Sequence, residues 1–214
     1  AAIEGLAIEK VRIENGSLAY EDERAGPRHV VDVIFVDIEA PSLQSALEVK
    51  GHLNWLSDRF DVDVSATPFR ALLDRTPAAL SIQANNRHAT LAYDGKLTLA
   101  DAVDAKGKAD VRIPDLRALM SFLGVKIGPG PGLKQAAIAG KLDASGKGYT
   151  LNDATISLDG ATATGTIGVS TAGQKPLVMG NLKVGALDLN KYIGDGAPAA
   201  GGAAPAPQPA AAPA

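Results

Sequence analysis

The chain has 214 residues, a formal net charge of -3 and no cysteine. That length suits one large or two small domains. The near-neutral balance without a basic patch argues against nucleic acid, and the missing thiols exclude disulfides, thiol catalysis and cysteine-held metal. Aromatic residues make up only 4%, with Trp55 the single tryptophan, so the core has to come from Val, Ile, Leu and Ala.

No run of 18 apolar residues offers a membrane span, and no charged region followed by an apolar one offers a signal peptide. A start at Ala1 suggests a piece of something longer. Val11–Ile13 and Leu18–Tyr20 flank Asn15-Gly16, the strongest short hairpin signal, because both turn residues tolerate positive φ. Glu21 to Pro27 is a charged turn. Residues 29–39 form a strand with few polar positions, as expected if both faces are partly covered. Pro41 to Leu47 suggests a short helical turn.

Residues 47–56 alternate, with Leu47, Val49, Gly51, Leu53 and Trp55 on one face and Glu48, Lys50, His52 and Asn54 on the other. Phe60, Val62, Val64 and Ala66 continue that pattern after a tight connection at Ser57–Arg59, which predicts an antiparallel hairpin. Thr67 is a candidate helix cap and Pro68 fits the first helical position. Leu80, Ile82 and Ala84 make a strand ended by Asn85-Asn86. Ala89, Leu91 and Tyr93 are then expected to pair with Leu97 and Leu99 across Asp94-Gly95 as a second hairpin. Val103 to Ile113 is a long two-faced strand, and Gly128-Pro-Gly-Pro-Gly132 an open loop. Further strands fall near 136–144, 149–158, 161–170 and 176–186, with turns at Ser145–Gly148 and Thr171–Gln174. From Asp195 the chain is Ala, Pro and Gly with a single Gln. Without large apolar residues it cannot offset its ordering entropy, so 195–214 is read as a disordered tail after a β-rich domain spanning 1–194.

One pattern occurs three times, in Asp63–Leu73, Asp110–Met120 and Lys183–Ile193. In each an alternating strand passes into a segment with apolar residues three and four apart. Phe69, Leu72 and Leu73 match Leu116, Leu119 and Met120, and then Leu189, Tyr192 and Ile193. The arginine shared by the first two copies, Arg70 and Arg117, becomes Asn190 in the third, so the constant part is apolar and marks architecture. The predicted fold is mainly β: a long, curved, mostly antiparallel meander sheet, an open groove or half-barrel, with short helical turns at strand ends.

Catalytic and metal chemistry find little support. His29, His52 and His88 stand singly, as solvated histidines do, and no metal spacing is present. Gly140–Gly148 lacks the Ser or Thr of a phosphate loop, and Gly160–Gly165 lacks dinucleotide spacing. Gly128–Gly132 puts prolines where an anion nest needs amides. Asp61/Asp63 and Asp101/Asp104 could in principle serve a glycosidase, but Asp61 and Asp63 alternate with apolar residues on a charged strand face, the ordinary solvated pattern. No nucleophile elbow occurs. The expectation is a chain that is not an enzyme and needs neither cofactor nor metal. An outer-membrane barrel would want aromatic girdles, and a carbohydrate-binding surface more exposed aromatics.

Several ordered motifs resemble the AsmA family. Ile13-Glu-Asn-Gly-Ser-Leu-Ala-Tyr20 with Asp22 and Gly26 is similar to its amino-terminal signature. Ile113-Pro-Asp-Leu-Arg-Ala-Leu-Met120 with Leu123-Gly124 is similar to its middle stretch. Leu158-Asp-Gly160, Ala163, Gly165, Val169, Pro176 and Leu187–Tyr192 are similar to its carboxy-terminal pattern. The resemblance spans about residues 4–193. It implies the periplasmic part of an inner-membrane-anchored envelope protein, held by an amino-terminal helix this chain lacks. It also implies a role in outer-membrane biogenesis, with phospholipid or another envelope lipid in an apolar β-groove and outer-membrane assembly proteins as further partners. No catalytic residue is carried over. The groove candidates are Leu47, Val49, Leu53, Trp55, Phe60, Val62, Val64, Val103 and Val111. The alternative is a structural, partner-binding β module that assists outer-membrane protein assembly without lipid contact.

Overall fold

In the computed structural model, which describes residues 7–20, 29–100, 102–173, 175–186 and 192, eleven strands follow one another. They are β1 (Ile8–Tyr20), β2 (His29–Ala40), β3 (Leu47–Trp55), β4 (Asp58–Thr67), β5 (Ala78–Asn85), β6 (Thr90–Leu99), β7 (Val103–Ile113), β8 (Ala136–Ser145), β9 (Gly148–Leu158), β10 (Ala161–Ser170) and β11 (Leu177–Val184). Each pairs antiparallel with the next, so spatial order equals sequence order and the sheet does not close into a barrel. Two short helices interrupt the meander at strand ends, α1 (Phe69–Leu73) after β4 and α2 (Leu116–Phe122) after β7. The third predicted helical turn, most of 187–193, and the tail 195–214 lie outside the described residues, as do Glu21 to Pro27 and Asp101.

Two expected hairpins are single strands. Asn15-Gly16 lies inside β1, where Ile13 pairs with Val36 and Gly16 with Ile34. The extra residue is taken up with Asn15 at φ 55, so the Asn-Gly pair makes a bulge and not a turn. Asp94-Gly95 lies inside β6, and Gly95 is paired with Gly107 of β7. A Cβ on Gly95 would come within 2.6 Å of the Gly107 Cα and 2.5 Å of the Tyr93 hydroxyl. Gly95 leaves room for the Tyr93 hydroxyl, which donates to the Lys96 carbonyl at 3.1 Å, and Gly107 leaves room for the Gly95 backbone opposite it.

The run 29–39 looked apolar on both faces for a similar reason. Val33 has φ 47 and sits in a bulge between the pairs Asp32–Asn54 and Phe35–His52, which resets the alternation within β2. A third bulge, with Asp153 at φ 48, bends β9 against Gly140. Bulges increase local twist and bend a strand, so these three add curvature to the sheet. The true two-residue turns are Leu56-Ser57, Gly146-Lys147 and Asp159-Gly160.

Helix α1 is capped differently from the expectation. Its N-cap is Pro68, after a cis Thr67–Pro68 bond, and no side chain caps it. Its first amides donate instead to backbone carbonyls of the 41–46 turn, Phe69 to Ser45 at 2.9 Å and Arg70 to Leu43 at 2.8 Å. That segment forms turns and bends, not a helical turn. In α2, Asp115 is a true cap, accepting from the Ala118 amide at 2.9 Å.

Candidate functional site

The alternation of each strand, carried through the register, produces one continuous apolar face. A single transverse row runs Ile13, Val36, Gly51, Val62, Ala84, Leu91, Val111, Ile138, Ile156, Ala163 and Val184, one residue from every strand. Two rows along, past Val49, Val64, Ile82, Tyr93 and Ala109, another runs Leu47, Ala66, Leu80, Gly95, Gly107, Leu142, Leu151, Ile167 and Gly180. At ~4.8 Å between strands, ten spacings make this face about 48 Å long.

Few of its side chains are fully buried. Ala66, Leu80 and Tyr93 form the main cluster, with Val64, Leu72, Ile82, Leu97, Ala105, Ala109 and Leu142 packed on it. A second cluster, Ala40, Leu43 and Phe69 with Ile8, Leu47 and Leu72, seats α1 at one rim. The two helices occupy opposite rims, because β4 and β7 run in opposite directions. The apolar face is thus flanked by a short helix at each rim, and we refer to this helix-edged face as the trough.

All nine groove candidates lie on this face. Leu47, Val49, Leu53, Trp55, Phe60, Val62, Val64 and Val111 are half-buried, whereas Val103 stands at the rim with 58% exposure. They crowd β3, β4 and β7, and the sequence reading missed how far the face continues into β8–β10. It also missed Phe122. This residue brings α2 onto the far side of the trough, with ring centroids 5.9 Å from Trp55, 6.4 Å from Phe60 and 4.8 Å from His88. Its sequence signal was its place one turn beyond Leu119 on the face that carries Leu116 and Leu119.

His88 is not a solvated histidine. Its side chain is only 12% exposed, with Nε2 2.8 Å from Oδ2 of Asp58, itself buried. Arg87 also reaches Asp58, at 2.6 and 2.9 Å. Asp58 thus anchors the 86–89 turn, and the turn presents the His88 ring to Phe122. His52 likewise has a partner, stacking on Phe35 at 5.1 Å on the opposite, charged face.

The segment 114–135 leaves the sheet as a unit. No α2 residue is buried. Leu116 and Arg117 donate amide bonds to Lys134 and Leu133 at 2.6 and 3.0 Å. Arg117 also donates to the carbonyls of Gly132 and Gly128, so the Gly-Pro loop turns carbonyls inward and makes no anion nest. A hollow of about 660 Å³ lies beside it, lined by Arg117, Ser121 and Gly124–Ile127. Asp159 pins the other end, accepting from Leu133, Lys134 and Gln135 at 2.7, 2.9 and 3.1 Å. Burial alone would raise the Asp159 carboxyl, but those amides and Tyr192 outweigh it and hold the pKa below the ordinary value.

The reverse face is charged. Arg12 grips Asp37 at 2.6 and 3.0 Å and lowers its pKa to about 2, and Lys10 joins them. Lys106–Asp143 and Lys141–Asp153 extend the pattern. A hollow of about 540 Å³ on this side is lined by Asp94, Lys108, Asp110, Lys141 and Asp153 around Ala92 and Ala139. A twisted sheet is saddle-shaped, so each face is concave in one direction. Asp61 and Asp63 are exposed on this side, and Arg59 pairs Asp61. Among the described residues no cluster of three or more metal-binding side chains occurs, and no helix is long and apolar enough to cross a membrane. Comparison with protein families, curated proteins and solved structures finds no match to this chain.

Proposed function

We propose that this chain is a non-enzymatic region of an envelope protein that binds or conveys phospholipid along the apolar trough in support of outer-membrane biogenesis. The observation carrying this reading is the row of eleven apolar residues crossing every strand, half-covered by two small helices and backed by a charged face. A sheet of this kind in water needs an apolar guest or a partner. An acyl chain spans about half of the ~30 Å hydrocarbon core, or about 15 Å, so a trough about 48 Å long has room for several. At ~0.8 kcal/mol per buried CH2, partial burial of a chain gives binding that is useful and reversible. Charge on the reverse face keeps that side in water. The ordered AsmA-like motifs agree with a periplasmic setting and an inner-membrane anchor elsewhere in the protein.

Native mass spectrometry of the domain, purified without detergent from membrane-rich cells, tests the reading. Phospholipid should leave with the protein and be lost in Ile138→Asp/Ile156→Asp, which charges the middle of the trough. A lipid-free protein that also fails to take up phospholipid from vesicles would sink it. The partner-binding alternative draws on one feature, the β11 edge, which no strand covers among the described residues.

A further inference from the structure

The two edges of the sheet differ. β1 is broken by three register shifts against β2 and carries Glu9, Lys10, Arg12 and Glu14. Bulges and charges are the usual protections of an edge strand against pairing. β11 is far less protected. It pairs with β10 through eight residues without a shift, and Lys183 is its only charge. All eight residues are exposed, Leu177 at 58% and Val178 at 66%. Among the described residues no strand pairs with its outer edge.

We propose that β11 pairs antiparallel with β11 of a second copy, about a two-fold axis through Asn181. An axis perpendicular to the sheet keeps the apolar face on one side of both copies, because paired residues of antiparallel strands share a side. The position of the axis follows from the residues. Centred on Asn181, Val178 meets the second copy's Val184 and Gly180 meets its Leu182 on the trough side. On the charged side Met179 meets Lys183, and Asn181 meets Asn181. No like charges oppose, and Leu182 covers the gap beside Gly180. Centred on Gly180, the strand would instead set Pro176, which has no amide hydrogen, opposite Val184. The two troughs would then run into one. A single eight-residue edge falls short of the ~800 Å² per partner of a standard interface, so the dimer is weak and is best read by trapping.

The chain has no cysteine, which makes the trap clean. In Asn181→Cys the paired Cα atoms would lie ~4.5–5.5 Å apart, within disulfide range. In Met179→Cys, on the same side and similarly exposed, the symmetry-related thiols would be four residues out of register, more than about 10 Å apart. Mild oxidation should give a covalent dimer of Asn181→Cys as its main species and leave Met179→Cys monomeric. Asn181→Lys should abolish any concentration-dependent dimer seen by sedimentation. Equal cross-linking at both positions, or at neither, overturns the proposal. So does a monomer whose β11 amides resist hydrogen exchange, since its edge would be covered by its own chain. The trap needs no lipid, so its outcome is independent of the trough's cargo.

Discussion

Replacing Phe122 by Ala should release α2 from the trough without unfolding the sheet. Phe122 is half-buried, and its ring meets Trp55, Phe60 and His88 across the groove. A fully buried Phe→Ala change costs ~3–5 kcal/mol, so half burial brings it to about 2 kcal/mol. That loss falls on local opening, because α2 has no buried residue and the strands beneath it keep their own pairing. At 1.4 kcal/mol per tenfold, about 2 kcal/mol is an approximately thirtyfold rise in opening. Hydrogen exchange should show that rise at 116–124, with the β3 and β4 amides unchanged. Trp55, the sole tryptophan, reports the same event through a red-shifted emission as its edge contact is lost. If exchange instead rises uniformly over the sheet, or Trp55 emission stays put, then α2 is not a separately docked element.

Gly107→Ala should lower stability by ~1–3 kcal/mol, because its new Cβ would lie 2.5 Å from the Gly95 Cα; at ~2–4 °C per kcal/mol, calorimetry should show a melting temperature several degrees lower. Asp58→Ala should cost about 1–2 kcal/mol by chemical denaturation and loosen the 86–89 turn, since the exposed Arg87 can return to water while the mostly covered His88 loses its carboxylate partner. The depressed Asp159 pKa means the carboxylate stabilises the fold fully above the ordinary carboxyl range, near pH 4, and that this contribution is lost as pH falls through its folded value. Protection of the Leu133–Gln135 amides, measured against their intrinsic exchange rates, should therefore fall in acid, and Asp159→Asn should flatten that response.

Most of the sheet was legible because alternation is a strong, local signal. β3, β4, β5 and β7 to β11 fall within two or three residues of their expected bounds, since each keeps period two between recognisable turns. The errors share one cause. Asn15-Gly16 and Asp94-Gly95 carry the residues of a hairpin turn, but what decides between a turn, a bulge and a close strand approach is the neighbouring strand. Val36 and Ile34 opposite β1 make the first a bulge, and Gly107 opposite Gly95 makes the second a close strand approach. Neither neighbour is near in sequence. The partners of His88 were hidden for the same reason, since Asp58 lies 30 residues away.

The trough itself was only half legible. Strands β3 and β4 announce it with large residues, whereas β8 to β10 contribute Ala, Gly and Thr alternations that resemble filler until the register places Ile138, Ile156 and Leu151 in line with Val62 and Leu80. That difference bears on function. Large residues and both helices crowd the β1–β7 half, where Phe69, Leu72 and Phe122 narrow the space. The β8–β10 half has no helix above it among the described residues, and its apolar positions include the small Ala163 and Gly165. A guest chain should thus lie deepest beyond β7. Photo-crosslinking lipid probes should label Ile156 and Ile167 more strongly than Val49 or Val64. The opposite order would mean that the helices receive the guest and do not fence it out.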